Sequence, residues 1–101
     1  MRPVRIHLAA ALEAVEAAAW YERQRPGLGE EFAGAVLAAL DLLEGEVFPL
    51  MPMSGAVGER GAMRLMLKRF PFAIIVIDLR GEIVVVAVAH HSRRPGYWRD
   101  R

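Results

Sequence analysis

Apolar and polar residues change period along this chain, and each change marks the start of a new element. Residues 2–7 alternate, with Val4 and Ile6 on one side and Arg5 and His7 on the other, so a short strand is predicted. Pro3 fits near the start or at the edge of such a strand. From Leu8 the spacing becomes helical: Leu8, Ala11, Leu12, Val15, Ala18 and Ala19 form an apolar stripe, with Glu13, Glu16 and Glu22 outward or to the side. The abundance of alanine supports the helix. Arg25-Pro-Gly-Leu-Gly29 interrupts it, because proline biases its predecessor away from helix and glycine permits a tight reversal. A second helix is expected from about Leu28 to Val47, with Leu28, Phe32, Val36, Ala39, Leu40, Leu43 and Val47 as its stripe. The short break makes the pair an antiparallel helical hairpin.

Residues 48–61 contain Pro49, Pro52, Gly55, Gly58 and Gly61 and are expected to be irregular. Met51 and Met53 within them either fold back on the core or face a partner, a role that flexible methionine suits. Three strands follow. Residues 62–69 alternate, with Met63, Leu65 and Leu67 on one face and Arg64, Met66 and Lys68 on the other. Residues 72–77 are continuously apolar and mostly β-branched, as in a strand buried on both faces. Asp78-Leu-Arg-Gly-Glu82 reads as a hairpin turn, and residues 83–89 return as the last strand. The expected fold is α+β, in the order β-α-α-β-β-β. Its helical hairpin packs on a mainly antiparallel four-stranded sheet, and residues 1–101 form a single domain.

Composition adds three constraints. The apolar fraction, 54%, exceeds the roughly 45–50% of ordinary soluble domains. Either a partner covers part of that surface, or the chain is simply rich in alanine. The lack of cysteine removes disulfides and thiolate metal sites and fits a reducing cytoplasm. No apolar run approaches the roughly 18–20 residues that cross a bilayer, and the first residues lack the pattern of a secretory signal, so no membrane partner is expected. The net charge of +1 conceals an asymmetry. Residues 1–59 carry four arginines against nine carboxylates, whereas residues 60–101 carry nine arginines and lysines against three. The second half therefore bears an electropositive footprint, or else acidic helices merely face water beside a basic sheet edge.

The densest chemistry lies in His90-His-Ser-Arg-Arg-Pro-Gly-Tyr-Trp-Arg-Asp-Arg101, which follows the last strand directly. Two imidazoles, four guanidiniums, a phenol and an indole are delivered to one end of the sheet. Guanidinium forks bind phosphate, aromatic faces stack on bases, and imidazole moves protons near neutral pH. That set suits a polyanion, RNA above all, better than a small metabolite. Each residue also has a plainer reading. His90 could simply hydrogen-bond backbone at a strand end. His91 could be its solvated neighbour, since only one of two adjacent strand residues faces a given side. Trp98 could be a lid on the core, Trp20 and Tyr21 packing residues, His7 sheet surface, and Arg69 the partner of a helical acid. Three scattered histidines without cysteine or H-x-x-x-H spacing give no metal site, and no cofactor is expected.

Three segments together resemble the RelE/ParE superfamily of toxins from bacterial type II toxin–antitoxin systems: residues 18–32, Arg64-Leu-Met-Leu-Lys-Arg-Phe-Pro-Phe72, and Val85-Val-Ala-Val-Ala-His-His-Ser-Arg-Arg-Pro-Gly-Tyr-Trp98. The resemblance implies a growth-inhibiting toxin held inactive by a cognate antitoxin protein. It implies one of two targets: messenger RNA on the ribosome, cleaved without a metal, or DNA gyrase, poisoned without nuclease activity. Metal-free cleavage requires a base for the 2′-hydroxyl, a cation for the phosphate, an acid for the leaving oxygen and a group that fixes the base. His90, Arg64 and Tyr97 are the candidate catalytic residues. Lys68, Arg93, Arg94 and Trp98 are the candidate substrate contacts. The chain departs from the lysine-rich RelE pattern, since Lys68 is its sole lysine. The pair His90 and Arg93 also occurs in gyrase-directed members, so the gyrase reading remains open as the alternative.

Overall fold

The computed structural model describes residues 3–45, 51–52, 61–79 and 81–101, with the backbone alone at 51–52. The chain runs β1 (Val4–Ile6), α1 (Leu8–Gln24), α2 (Leu28–Glu44), β2 (Met51–Pro52), β3 (Ala62–Met66), β4 (Phe72–Leu79) and β5 (Glu82–His90). The strands form one sheet in the order β1-β5-β4-β3-β2. Among the described residues β1 and β5 pair in parallel and the other neighbours antiparallel. The α+β fold and its element order are thus as expected. One addition is β2, a two-residue edge strand in a stretch expected to be irregular, which pairs Met51 with Arg64 and Pro52 with Met63. Proline lacks a donor, and an edge strand is where a sheet tolerates that. Val47 and Met53, also singled out from the sequence, lie outside the described residues.

The two helices meet through a close approach. The N–H groups of Gly27 and Gly29 both donate to the Glu22 carboxylate, at 2.9 and 3.0 Å. A β-carbon on Gly29 would stand 2.5 Å from the Ala18 carbonyl oxygen, so only glycine allows this spacing. At the start of α1 the His7 ring caps the helix, its Nδ1 accepting from the Ala9 N–H at 3.1 Å.

The core-facing stripe of α2 is the expected one, with Phe32, Val36, Ala39 and Leu43 buried. The stripe of α1 is not. Ala10 is buried, with Ala14, Ala17, Ala18 and Tyr21 packed beside it, whereas Leu8, Leu12 and Val15 stand exposed at 72, 51 and 65%. Small side chains let α1 lie close to the sheet and to α2, and the larger ones face outward. Tyr21 is a packing residue as expected. Its ring joins Phe32, Phe70 and Phe72 in an aromatic cluster under the hairpin. Trp20, expected to pack, is half exposed.

The first five residues of β4 and the middle of β5 are buried on both faces. The second face carries Ala62, Ala73, Ile75, Val84, Val86 and Ala87 under the Trp98 ring, with Tyr97 beside it. The residues after His90 therefore return across the sheet as a strap. A register shift where Ile75 faces Ala87 and Val76 faces Val85 leaves Val86 as an extra residue in β5. Such a bulge bends the strand and re-aims its end.

Candidate functional site

Arg64, His90, His91, Arg93 and Tyr97 line one depression on the strap side of the sheet, floored by Met66, Ala73, Ile75 and Ala89. Three features bring them together. Arg64 and Met66 alternate with the core residues of β3 and so share its outer face. β5 ends at His90, and the chain turns at once, with the His91 N–H donating to the Pro71 carbonyl at 2.8 Å. His90 and His91 both border the depression, and the His90 ring, packed on Phe72, also borders the groove between α1 and β5 that Glu13, Trp20 and Tyr97 line. The strap then passes over the sheet and delivers Arg93 and Tyr97 from above. The space is about 100 Å3, against roughly 300–1,000 Å3 for pockets that enclose a small ligand. A phosphate and part of its sugar can lie against it, but a metabolite cannot be enclosed.

Lys68 and Arg94 lie elsewhere. Lys68 sits with Arg69 against Ala35, Ala38 and Leu42 of α2, away from the imidazoles. β3 ends at Met66, so the alternation that would have placed Lys68 beside Arg64 has stopped. Arg94 faces the other side of the strap, with Gly96, Arg99 and Asp100. Trp98 is 3% exposed and forms part of the core on the strap side. It also borders the depression from below, with little of its ring exposed. Arg69 pairs with Glu31 of α2 at 2.6 Å, the helical acid anticipated for it.

The chemistry within the depression is specific. His90 Nδ1 accepts from the Ser92 N–H at 3.0 Å and lies 2.8 Å from the Ser92 hydroxyl. The backbone N–H can only donate, so the neutral ring carries its proton on Nε2. His90 is accordingly set up as a donor, and a base role would require the other tautomer. The edge of its ring packs against Phe72, with centroids 5.1 Å apart. Among the described residues neither Arg64 nor Arg93 has a carboxylate partner. Arg93 instead stacks over the Tyr97 ring, its guanidinium carbon 3.9 Å from the centroid.

The Tyr97 hydroxyl is tied to α1. Its hydroxyl donates to Glu13 Oε2 at 2.6 Å. Burial pushes its pKa up, and the Glu13 hydrogen bond and charge push it further, so the phenol holds its proton firmly. Glu13 comes from α1 and was expected to point outward or to the side. It also accepts from the Val88 N–H at 3.0 Å and from Arg101 at 2.7 and 3.1 Å. No local pattern marks it, since its partners lie 75 to 88 residues away in sequence. Among the described residues, no group of three histidine, cysteine or carboxylate side chains is placed to hold a metal ion.

The fold is that of a helical hairpin on a mixed sheet, with the site at the end of the last strand, and it matches a solved structure described as "Chromosomal ParDE TA system from P. aeruginosa". The superposition gives a TM-score of 0.75 at 16% identity, covering 89% of this chain and 96% of that one. The RelE/ParE type of fold expected from the sequence is therefore the fold observed. Neither a protein-family model nor a curated protein matches the sequence. Among the described residues no helix is long and apolar enough to cross a membrane.

Proposed function

We propose that this chain is the toxin of a toxin–antitoxin pair and that it cleaves messenger RNA at the depression beside His90, without a metal. The carrying observation is one depression bordered by His90 and His91 together with Arg64 and Arg93, which have no carboxylate partner among the described residues. An unpaired cation at the end of a sheet gains most from an anion. Arg64 and Arg93 hold the scissile phosphate and stabilise the charge that builds on it. His91, whose ring lines the depression, takes the proton from the ribose 2′-hydroxyl, and the 2′-oxygen attacks the phosphorus. His90 donates a hydrogen bond from its Nε2–H to the departing 5′-oxygen, which takes up the proton that His91 accepted. The bond from phosphorus to that oxygen breaks, leaving a 2′,3′-cyclic phosphate. Tyr97 supports Arg93 and does not itself transfer a proton. The partner that silences the toxin is an antitoxin protein, for which the exposed Leu8, Leu12, Val15 and Leu37 of the hairpin offer apolar contact.

A second reading is favoured by the likeness to a structure titled ParDE and by that same apolar hairpin. In it the chain binds and inhibits DNA gyrase, and the cation cluster serves only as a contact. The two readings separate in one experiment. The chain is induced alone in bacteria beside His90→Ala and His91→Ala variants, and RNA 5′ ends are mapped together with plasmid supercoiling. New ends within translated codons, lost in both variants, establish the nuclease. Growth arrest without new ends but with altered supercoiling establishes the gyrase reading.

A further inference from the structure

We propose that Glu13 is a positioning residue for the anion site, acting on Arg93 through Tyr97. The inference rests on the proposed anion-binding role of the depression, although its physical core does not require RNA. Glu13 lies on α1, outside the depression, and touches none of its guanidiniums except through the phenol. Its two oxygens gather three elements. Oε1 accepts from the Val88 N–H of β5 at 3.0 Å and from Arg101 Nη1 at 2.7 Å. Oε2 accepts from the Tyr97 hydroxyl at 2.6 Å and from Arg101 Nη2 at 3.1 Å. Arg101 in turn donates to the Val86 carbonyl at 3.0 Å. This carbonyl and the Val88 N–H lie beyond the last residue of β5 that β1 pairs, Val85. Two side chains therefore satisfy backbone groups of β5 beyond its pairing with β1, and the same ion pair ties down the strap.

The consequence for the site follows from geometry. The Tyr97 ring is fixed at its hydroxyl end by Glu13 and along its flank by the packing around Trp98. Its face then presents a platform at a set height beside His90. Arg93 rests on that platform, 3.9 Å from the centroid. A long, rotamer-rich side chain is thereby held in one place before an anion arrives, which lowers the entropy lost on binding. Arg101 approaches the same ring but lies farther off, at 5.1 Å, and is committed to the carboxylate. Glu13 thus divides the cations of the strap: Arg101 is neutralised and structural, while Arg93 has no carboxylate partner among the described residues and remains available. Without the carboxylate, Tyr97 would rotate, Arg93 would lose its platform, and Arg101 would become a competing free charge.

The test uses the whole chain and the variants Glu13→Gln and Tyr97→Phe. Nitrogen-15 relaxation of the Arg93 Nε–H group reports the order of the guanidinium directly. A short 2′-O-methyl RNA, which cannot be cleaved, reports anion binding. Glu13→Gln should release the Arg93 Nε–H to fast motion and weaken the RNA about tenfold, the loss of one preorganised guanidinium contact. Tyr97→Phe keeps the ring and should fall between the two. If Glu13→Gln lowers thermal stability but leaves Arg93 order unchanged, Glu13 is only structural and the proposal is overturned. If wild type does not bind the RNA, the RNA reading fails, while the Arg93 relaxation still decides the role of Glu13. Should Glu13→Gln not fold, Tyr97→Leu removes the ring and must mobilise Arg93 for the proposal to stand.

Discussion

The two faces of the sheet are covered in opposite ways. On one side lies a hairpin of two 17-residue helices, and contact is made by large rings: Tyr21, Phe32, Phe70 and Phe72, with centroids 5.0 to 6.2 Å apart. On the other side lies a strap of about a dozen residues over a floor with three alanines, Ala62, Ala73 and Ala87, and one deeply buried ring, Trp98. The hairpin side is held by apolar area, which needs no particular geometry. The strap has too little area for that and is fastened by a carboxylate with directional partners. The comparison explains why the site is on the strap side. A segment held by a few polar contacts can leave charged side chains unpaired at its margin, whereas a packed aromatic layer cannot.

The largest expected effect is on the hairpin side. Phe32 is fully buried and meets three other rings. Phe32→Ala should cost about 3–5 kcal/mol, a large share of the roughly 5–15 kcal/mol that holds a chain of this size folded. Thermal unfolding followed by circular dichroism should show the midpoint falling by well over 10 °C, by the usual scaling of roughly 4–8 °C per kcal/mol. A shift of only a few degrees would mean that the two faces contribute alike and that the contrast is wrong.

An intermediate effect is expected on the strap side, and it should depend on pH. Burial raises the Glu13 pKa, but hydrogen bonds from Arg101, Tyr97 and Val88, together with the Arg101 charge, outweigh it, so the net shift is downward from 4.5. Glu16 and Arg23 of α1, and His90 and Arg93, line the same groove as Glu13 and Tyr97. A carboxylate whose folded pKa is depressed stabilises the fold fully above its unfolded value. That stability is lost as pH falls below about 4.5 and through the lower folded value. Glu13→Gln should therefore cost about 1–3 kcal/mol at neutral pH, the usual loss when partly buried partners are left wanting. The gap from wild type should narrow as pH falls below about 4.5. Urea titrations at pH 7 and pH 3.5 measure it. A gap that stays constant with pH would show that the carboxylate charge is not what fastens the strap.

Legibility in the sequence follows the same division. Element order and strand positions were readable because β3, β4 and β5 alternate or run apolar, and because Pro26 and Gly81 mark reversals. The residues of the depression were readable in part. Arg64, His90 and Arg93 do border one depression, Arg64 from the outer face of β3 and the other two from the end of β5 and the turn after it. Lys68 and Arg94 lie outside that depression and Trp98 is buried at its edge, because alternation ends when a strand ends and a buried indole looks the same in sequence as an exposed one. Glu13 was not readable at all. Its role is set by contacts across most of the chain, and an isolated glutamate on a helix signals only solvent. β2 escaped for a related reason: two residues are too few to show a period.

The sharpest divergence is between the two helices, and it yields the smallest expected effect. In α2 the bulky residues face the core, so apolar periodicity finds the right stripe. In α1 they do not, because alanines make the close contact and leave Leu8, Leu12 and Val15 in solvent. A count that treats alanine and leucine alike then selects the wrong face. If this reading of α1 is right, polar substitution of those bulky residues should hardly matter to the isolated chain. Leu12→Gln and Val15→Gln should each change stability by less than about 0.5 kcal/mol, as exposed sites do. Ala10→Gln or Ala14→Gln, which would force a larger polar group against the sheet, should cost about 1–3 kcal/mol by overpacking alone. Denaturant midpoints of the four variants decide between the stripes. The reverse order, with Leu12 and Val15 sensitive and Ala10 and Ala14 tolerant, would mean that α1 turns its leucines inward and that Glu13 cannot reach Tyr97.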